Sequence, residues 1–480
     1  MMTAAHDPGS GDPLAEVHPR AIGEADRRRP GARLFASRPV LLFAFAFAVM
    51  ADPVSSVAYA IEAALRALGG DLALLVPTMG LVVVIIAVII GNYQQLVARY
   101  PRGGGAAAAA GEAFGEAWSF VPIGALIVDF VLTIAISASA GASAVIAYVP
   151  SLAPIRIPLA VGLVVAVGAA SLLGHLGRAV FAVMTVLFIV LTVVVLVEAF
   201  TGAGHAGGTV TGSAPHAAPL AVALAFPVAM ALATGVEAPS SAIAQLGQLD
   251  DAGRRLFGRV TLWLTLGIVG TLTVGLAAAA RRLHAGIPAA GGTQIADIAR
   301  AAGSSAVYAG FQAATALLLL AAASSSFQAG PGLLKALARQ SADEGGTVGV
   351  LPAPLGRTNT RHTPYLGVAV FTVISAAVTA AAGGQDQRLV LFYAVSVFIS
   401  FEVGLLAMAR FSRAARHRRW LAFNLFGAVV VAFTLAVNLA RGTPVVSLAA
   451  SLLIAAGLYV TWVRAGRPRG IASSATHGGG

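Results

Sequence analysis

The chain of 480 residues contains no cysteine, and only 11% of its residues are charged. Without cysteine there is no disulfide, no thiolate nucleophile and no thiolate-bound metal. Soluble domains carry about a quarter charged residues, so the shortage of charge excludes a string of soluble domains. Basic stretches interleaved with aromatics, which would stack on bases, are missing too, and nucleic acid is not an expected partner. Gly103-Gly104-Gly105 is followed by no Lys-Ser/Thr pair and is not a phosphate loop. It reads as a flexible turn between two spans. No nucleotide or other cofactor is expected. The acids lack the Gly-x-Gly-Asp or His-Glu-x-x-His settings of intramembrane proteases, so the chain does not read as an enzyme.

What the chain has is apolar length. Hydrophobic residues make up 58% of it, and its mean hydropathy is +0.84. About 20 apolar residues cross a bilayer as a helix. Six such runs lie near residues 40–66, 72–97, 118–148, 155–174, 177–199 and 218–246. Six more lie near 259–283, 304–334, 363–382, 388–410, 420–440 and 444–464. The expectation is an all-α integral membrane protein with twelve transmembrane helices, filling residues 40–465 and lying in the lipid bilayer. Residues 1–39 and 466–480 are polar or rich in Gly, Pro and Arg and are expected to be disordered tails.

The arginines set the orientation. With twelve crossings, only Arg66, Arg156, Arg281, Arg282, Arg300, Arg388 and Arg441 fall on the side opposite the termini, against 24 of the 31 basic residues on the other. The excess of positive charge marks the cytoplasmic side. A multi-pass protein of the cell membrane with both termini cytoplasmic is expected.

Two spans carry helix breakers at mid-membrane. The first reads Met50-Ala51-Asp52-Pro53-Val54-Ser55-Ser56, and the sixth Ala233-Thr234-Gly235-Val236-Glu237-Ala238-Pro239. Proline removes a backbone donor and clashes with the preceding turn, so carbonyls near Val49 and Met50 should lose their partners. Interrupted helices at matching positions of two halves point to a transporter's central site. The expected architecture is a 5+5 inverted repeat, residues 40–199 and 218–410, with broken helices 1 and 6. The last two helices, 420–464, stand outside the repeat.

Both breaks carry an acid, Asp52 and Glu237, and a third acid, Asp129, lies in the third span. Glu402, in the tenth span, sits nearer the cytoplasmic end. No Lys or Arg stands beside the first three within the spans. Acids at mid-bilayer are expensive and mark function; without basic partners they must hold a proton or meet a cation. The substrate is therefore expected to be positive. Asp129, Thr133 and Ser137 are spaced i, i+4, i+8 and share one helix face. Tyr59, Thr234 and Tyr393 complete a constellation made only of oxygen, which suits a hard cation. Of the acids, Glu237 is expected to couple transport to protons, with Asp52 as the alternative.

At these residues the sequence resembles the amino acid–polyamine–organocation superfamily, and within it the KimA-type potassium importers related to the Kup transporters. The motifs are Asp52-Pro-Val-Ser-Ser-Val-Ala-Tyr59, Tyr100-Pro-Arg-Gly-Gly-Gly105, Asp129-x3-Thr133-x3-Ser137, Thr234-Gly-Val-Glu237, Thr315 through Ser326, and Phe392-Tyr-Ala-Val-Ser-Val-Phe398. The resemblance implies a LeuT-like fold and a potassium site lined by Asp52, Tyr59, Asp129, Thr133, Ser137, Thr234, Glu237 and Tyr393. It implies import of potassium with proton coupling, and is compatible with a homodimer. The alternative is a permease for a cationic amino acid or a polyamine. A carboxylate-bearing substrate would be repelled by Asp52 unless a cation stood between them, and the break at Thr234–Glu237 has no methionine of the kind Nramp-like metal carriers use.

Overall fold

The computed structural model describes residues 38–174, 177–202, 211–338 and 349–468. Almost all of the two expected tails lies outside the described residues. Among those described there is no β-strand, and ten helices are long and apolar enough to cross a membrane. In hydrocarbon every backbone donor and acceptor must be satisfied within the protein, which leaves helix as the only course for such runs.

The first expected span is divided into α1 (Arg38–Val49), α2 (Ala51–Ser55) and α3 (Val57–Ala67). It is followed by α4 (Leu72–Arg99), α5 (Gly105–Phe114), α6 (Phe120–Tyr148), α7 (Arg156–Leu172) and α8 (Arg178–Thr201). The sixth span runs as α9 (Ala218–Ala229), a 3-10 turn at Met230–Ala233 and α10 (Ala238–Ala242). Then come α11 (Asp251–Arg282), α12 (Gln294–Ala302), α13 (Ser305–Ala338), α14 (Tyr365–Ala381), α15 (Asp386–Ala414), α16 (Arg418–Leu439) and α17 (Val445–Arg464). The divided first span and the 17 residues of α14 are apolar helices shorter than the other ten.

Helix α6 is the axle of the bundle and packs on α7, α13, α15 and α17. Its buried residues are rich in Gly, Ala and Ser, and small residues let helix backbones approach closely in membranes. Gly124 shows how closely: a β-carbon there would lie 2.5 Å from the Ser451 carbonyl oxygen of α17.

Most threonines in these helices satisfy themselves locally. The hydroxyls of Thr78, Thr185, Thr192, Thr265, Thr315 and Thr434 each donate to the carbonyl four residues back, at 2.7–2.9 Å. That is the ordinary role of threonine in an apolar helix, and Thr315 belongs to it. It makes any threonine that points elsewhere conspicuous.

The turn after α4 differs from the flexible link expected of Gly103-Gly104-Gly105. All three glycines have positive φ, of 94°, 98° and 45°. The turn is tied, however: the Tyr100 hydroxyl donates to Glu112 Oε2 at 2.6 Å, and Arg99 pairs with the same carboxylate. The Arg99 hydrogen bond holds the Glu112 carboxyl below its ordinary value.

Candidate functional site

The two interrupted spans meet at the centre of the bundle, and they are interrupted to different degrees. In the first, Met50 and Ser56 keep right-handed helical angles. The Met50 carbonyl, expected to be unpaired, accepts from Val54 N at 2.9 Å, because Pro53 removes only its own donor. The expectation of two freed carbonyls is corrected at Met50. The sixth span is truly opened. Thr234 is extended (φ −64°, ψ 142°), and Gly235 follows at φ +78°, where a β-carbon costs about 1–2 kcal/mol.

Gly235 also has no room for a side chain. A β-carbon on it would lie 2.8 Å from Asp52 Cγ, 2.9 Å from Asp52 Oδ2 and 2.9 Å from Pro53 Cδ. The backbone of one break thus lies directly on the carboxylate of the other. Ser56 reinforces the junction, its hydroxyl lying 3.1 Å from the Leu232 carbonyl and 2.7 Å from that of Pro53. Ser240 donates to the Glu237 carbonyl at 2.7 Å, and Thr234 to that of Ala231 at 2.8 Å. The hydroxyls flanking the acids therefore bond to the bent backbone rather than to the carboxylates.

Each of the three acids keeps a buried oxygen with no hydrogen-bond partner among the described residues: Asp52 Oδ1, Asp129 Oδ1 and Glu237 Oε2. They lie within electrostatic reach of one another, and the ion pairs among the described residues involve none of them. No three His, Asp or Glu groups among the described residues gather closely enough to hold one metal ion. A cation here would have to draw on hydroxyl and carbonyl oxygens as well as a carboxylate.

The stripe on α6 supplies such oxygens. The Thr133 hydroxyl donates across to the Tyr393 hydroxyl of α15 at 2.9 Å instead of to its own helix. Ser137 Oγ, 1% exposed, has no hydrogen-bond partner among the described residues. Neither follows the local bonding seen elsewhere in the bundle. The Tyr59 ring packs edge-on against that of Tyr393 at 6.5 Å, and its hydroxyl lies against the side chains of Thr234 and Tyr393. All eight expected residues come from α2, α3, α6, α15 and the opened stretch of the sixth span, and the structure brings them to one region. Glu402 lies nine residues beyond Tyr393 on α15, about 13 Å along the axis, with Oε2 also unpartnered.

Sequence reasoning missed three residues around this region. Tyr93 of α4 is buried, packs edge-on against Phe401 at 5.8 Å and lies within electrostatic reach of Glu237 and Asp129. Its only sequence signal is the polar run Asn92–Gln95 at the end of an apolar span. Glu62 and Asp386 are buried as well, at 3% and 6% exposure. Glu62 follows Tyr59 by one helical turn, a spacing that could have drawn attention to it.

Comparison with known proteins agrees with this architecture. A stretch of 95 residues, 19% of the chain, is 38% identical to the potassium transporter KimA of Bacillus subtilis (strain 168). The match covers 16% of that protein, so the chain is aligned with about a sixth of its length. The sequence profile of the amino acid permease family matches residues 40–463, from the start of the first broken helix to the end of the last. The chain belongs to the amino acid permease family, a family of membrane transporters rather than enzymes.

Proposed function

We propose that this permease is a secondary transporter importing a small cation, potassium, by alternating access, with Glu237 or Asp52 carrying a coupled proton. The observation that carries this reading is the set of three buried carboxylates with no basic partner among the described residues, near the Thr133 and Tyr393 hydroxyls that bond across the bundle. An uncompensated buried charge is strongly destabilising; a bound cation or proton relieves it. The short match to a potassium transporter supports potassium in particular.

The chain crosses the bilayer twelve times, counting the divided first helix and α14, as a 5+5 inverted repeat plus α16 and α17. The side bearing both termini faces the cytoplasm, as its arginines favour. The membrane potential then drives uptake: one positive charge moving down 100 mV gains about 2.3 kcal/mol, enough for about 50-fold accumulation. Proton coupling raises that ratio.

A second reading, a permease for a cationic amino acid or polyamine, draws on the family itself. It also draws on the spread of the acids, which do not close on a single ion. The deciding experiment is growth of a bacterium lacking potassium uptake, on limiting potassium, with this protein expressed. Rescue supports the first reading. Failure together with uptake of labelled lysine or a polyamine overturns it in favour of the second.

A further inference from the structure

A second polar network crosses the bundle at the end opposite the termini, on the far side of Tyr59 from the acids. It has its own logic. The Glu62 carboxylate on α3 is shared: Oε1 accepts from Arg66 Nε at 2.8 Å, and Oε2 accepts from the backbone N–H of Gln294 at 3.0 Å. Gln294 is the first residue of α12 and wholly buried, so an acid of one helix occupies the positive end of another. On the other flank of α3, the Gln387 amide of α15 donates to the Tyr59 carbonyl at 3.3 Å and to Asp386 Oδ2 at 2.9 Å. Asp386 Oδ1 accepts from the Ser143 hydroxyl of α6 at 2.8 Å, and Ser143 in turn accepts from Arg156 at 2.8 Å.

The elements gripping α3 are themselves anchored to α6. Arg300 of α12 and Tyr308 of α13 both donate to the Ala147 carbonyl, at 3.0 and 2.7 Å, and Gln312 donates to that of Ala144 at 2.9 Å. Helix α3 is therefore held on both flanks, by its Glu62 carboxylate toward α12 and by its Tyr59 carbonyl toward α15. Ser143, Glu62, Asp386 and Gln294 are all nearly or fully buried, and Tyr59 and Tyr393 lie buried beneath them. These buried groups stand between this end of the bundle and Asp52 and Asp129.

We propose that Glu62–Gln294 and the Tyr59–Gln387–Asp386–Ser143–Arg156 chain form a two-sided latch that closes the outer entrance, and that α3 swings free when both release. Calling this side outer rests on the orientation proposed above; the latch itself rests only on these contacts. Hydrogen bonds of this kind stabilise by about 0.5–1.5 kcal/mol each. Losing one therefore raises the open population up to about tenfold.

The absence of native cysteine makes the test direct. Ala140 lies on α6 three residues from both Ser137 and Ser143, is 5% exposed and is assigned no role. Ala140→Cys in otherwise unchanged protein, in intact cells, should react slowly with a membrane-impermeant thiol reagent. Adding Glu62→Gln, Gln387→Ala or Asp386→Asn should speed labelling severalfold, with each variant monodisperse on size exclusion. Unchanged labelling in all three folded variants would overturn the latch. Acceleration confined to inverted vesicles would support the latch and overturn the orientation. Labelling needs no transported substrate, so its outcome is independent of whether potassium is carried.

Discussion

The carboxyl carbon of Asp52 lies 2.8 Å from where a β-carbon on Gly235 would stand. This contact joins the two interrupted spans, and it brings the acid of the first against the opened backbone of the sixth. Gly235→Ala should therefore cost twice, through its φ of +78° and through displacement of Asp52. We expect uptake to fall by at least about tenfold, with a loss of about 1–2 kcal/mol in stability from the backbone alone. Uptake assays paired with thermal unfolding in detergent would check both. Full activity would mean that the contact is dispensable.

Asp129→Asn should abolish uptake while leaving the fold intact. Asp129 Oδ1 has no partner, so the substitution breaks no bond at that oxygen and removes an uncompensated charge. A melting temperature equal to or above that of the unmodified protein, with no transport, is the expected pair of results. Retained transport would take Asp129 out of the site.

The Thr133–Tyr393 bond predicts coupling between two residues 260 positions apart. Tyr393→Phe removes the acceptor and should raise half-saturation by up to about tenfold, with little change in maximal rate. Thr133→Val should do much the same. Combining them should add little, because residues sharing one bond are not additive. Full additivity in the double-mutant cycle would show that the hydroxyls act separately.

Glu237→Gln should separate ion movement from proton movement. The side chain stands at the opened stretch of the sixth span, where the Gly235 turn leaves it freest to change partners. Linkage between cation and proton binding is reciprocal, so losing the titrating group should abolish both directions of it. In proteoliposomes with the potential clamped, the variant should exchange cations yet ignore an imposed pH gradient. A response equal to that of the unmodified protein would assign coupling elsewhere, with Asp52 the next residue to test.

The tied turn at Tyr100–Gly105 has a pH signature. Because Arg99 holds the Glu112 carboxyl below its ordinary value, the charged pair contributes to stability above the pKa of the unfolded chain. That contribution is lost as pH falls through the lower, folded pKa. Proteolysis of the α4–α5 turn should therefore accelerate only in strongly acidic solution. Glu112→Gln should be readily cleaved at neutral pH, and equal cleavage of the two proteins there would show that the pair does not hold the turn.

The sequence by itself determined the features that are local along the chain. Apolar runs about 20 residues long must be helical in lipid. The helix period alone places Asp129, Thr133 and Ser137 on one face. Pro53, Gly235 and Pro239 mark where backbone geometry must change, although they do not say by how much. Proline's effect depends on which donors remain, and the span around Met50 stayed nearly helical while the one at Thr234 opened. Tertiary structure alone decided which residues face each other across the bundle. Nothing along the chain says that Thr133 ignores its own helix for Tyr393, that Asp52 lies on Gly235, or that Glu62 reaches the first residue of α12. Those meetings depend on how closely small residues such as Gly124 let the helices approach. That distance is a property of two surfaces packed together, which no single stretch of sequence contains.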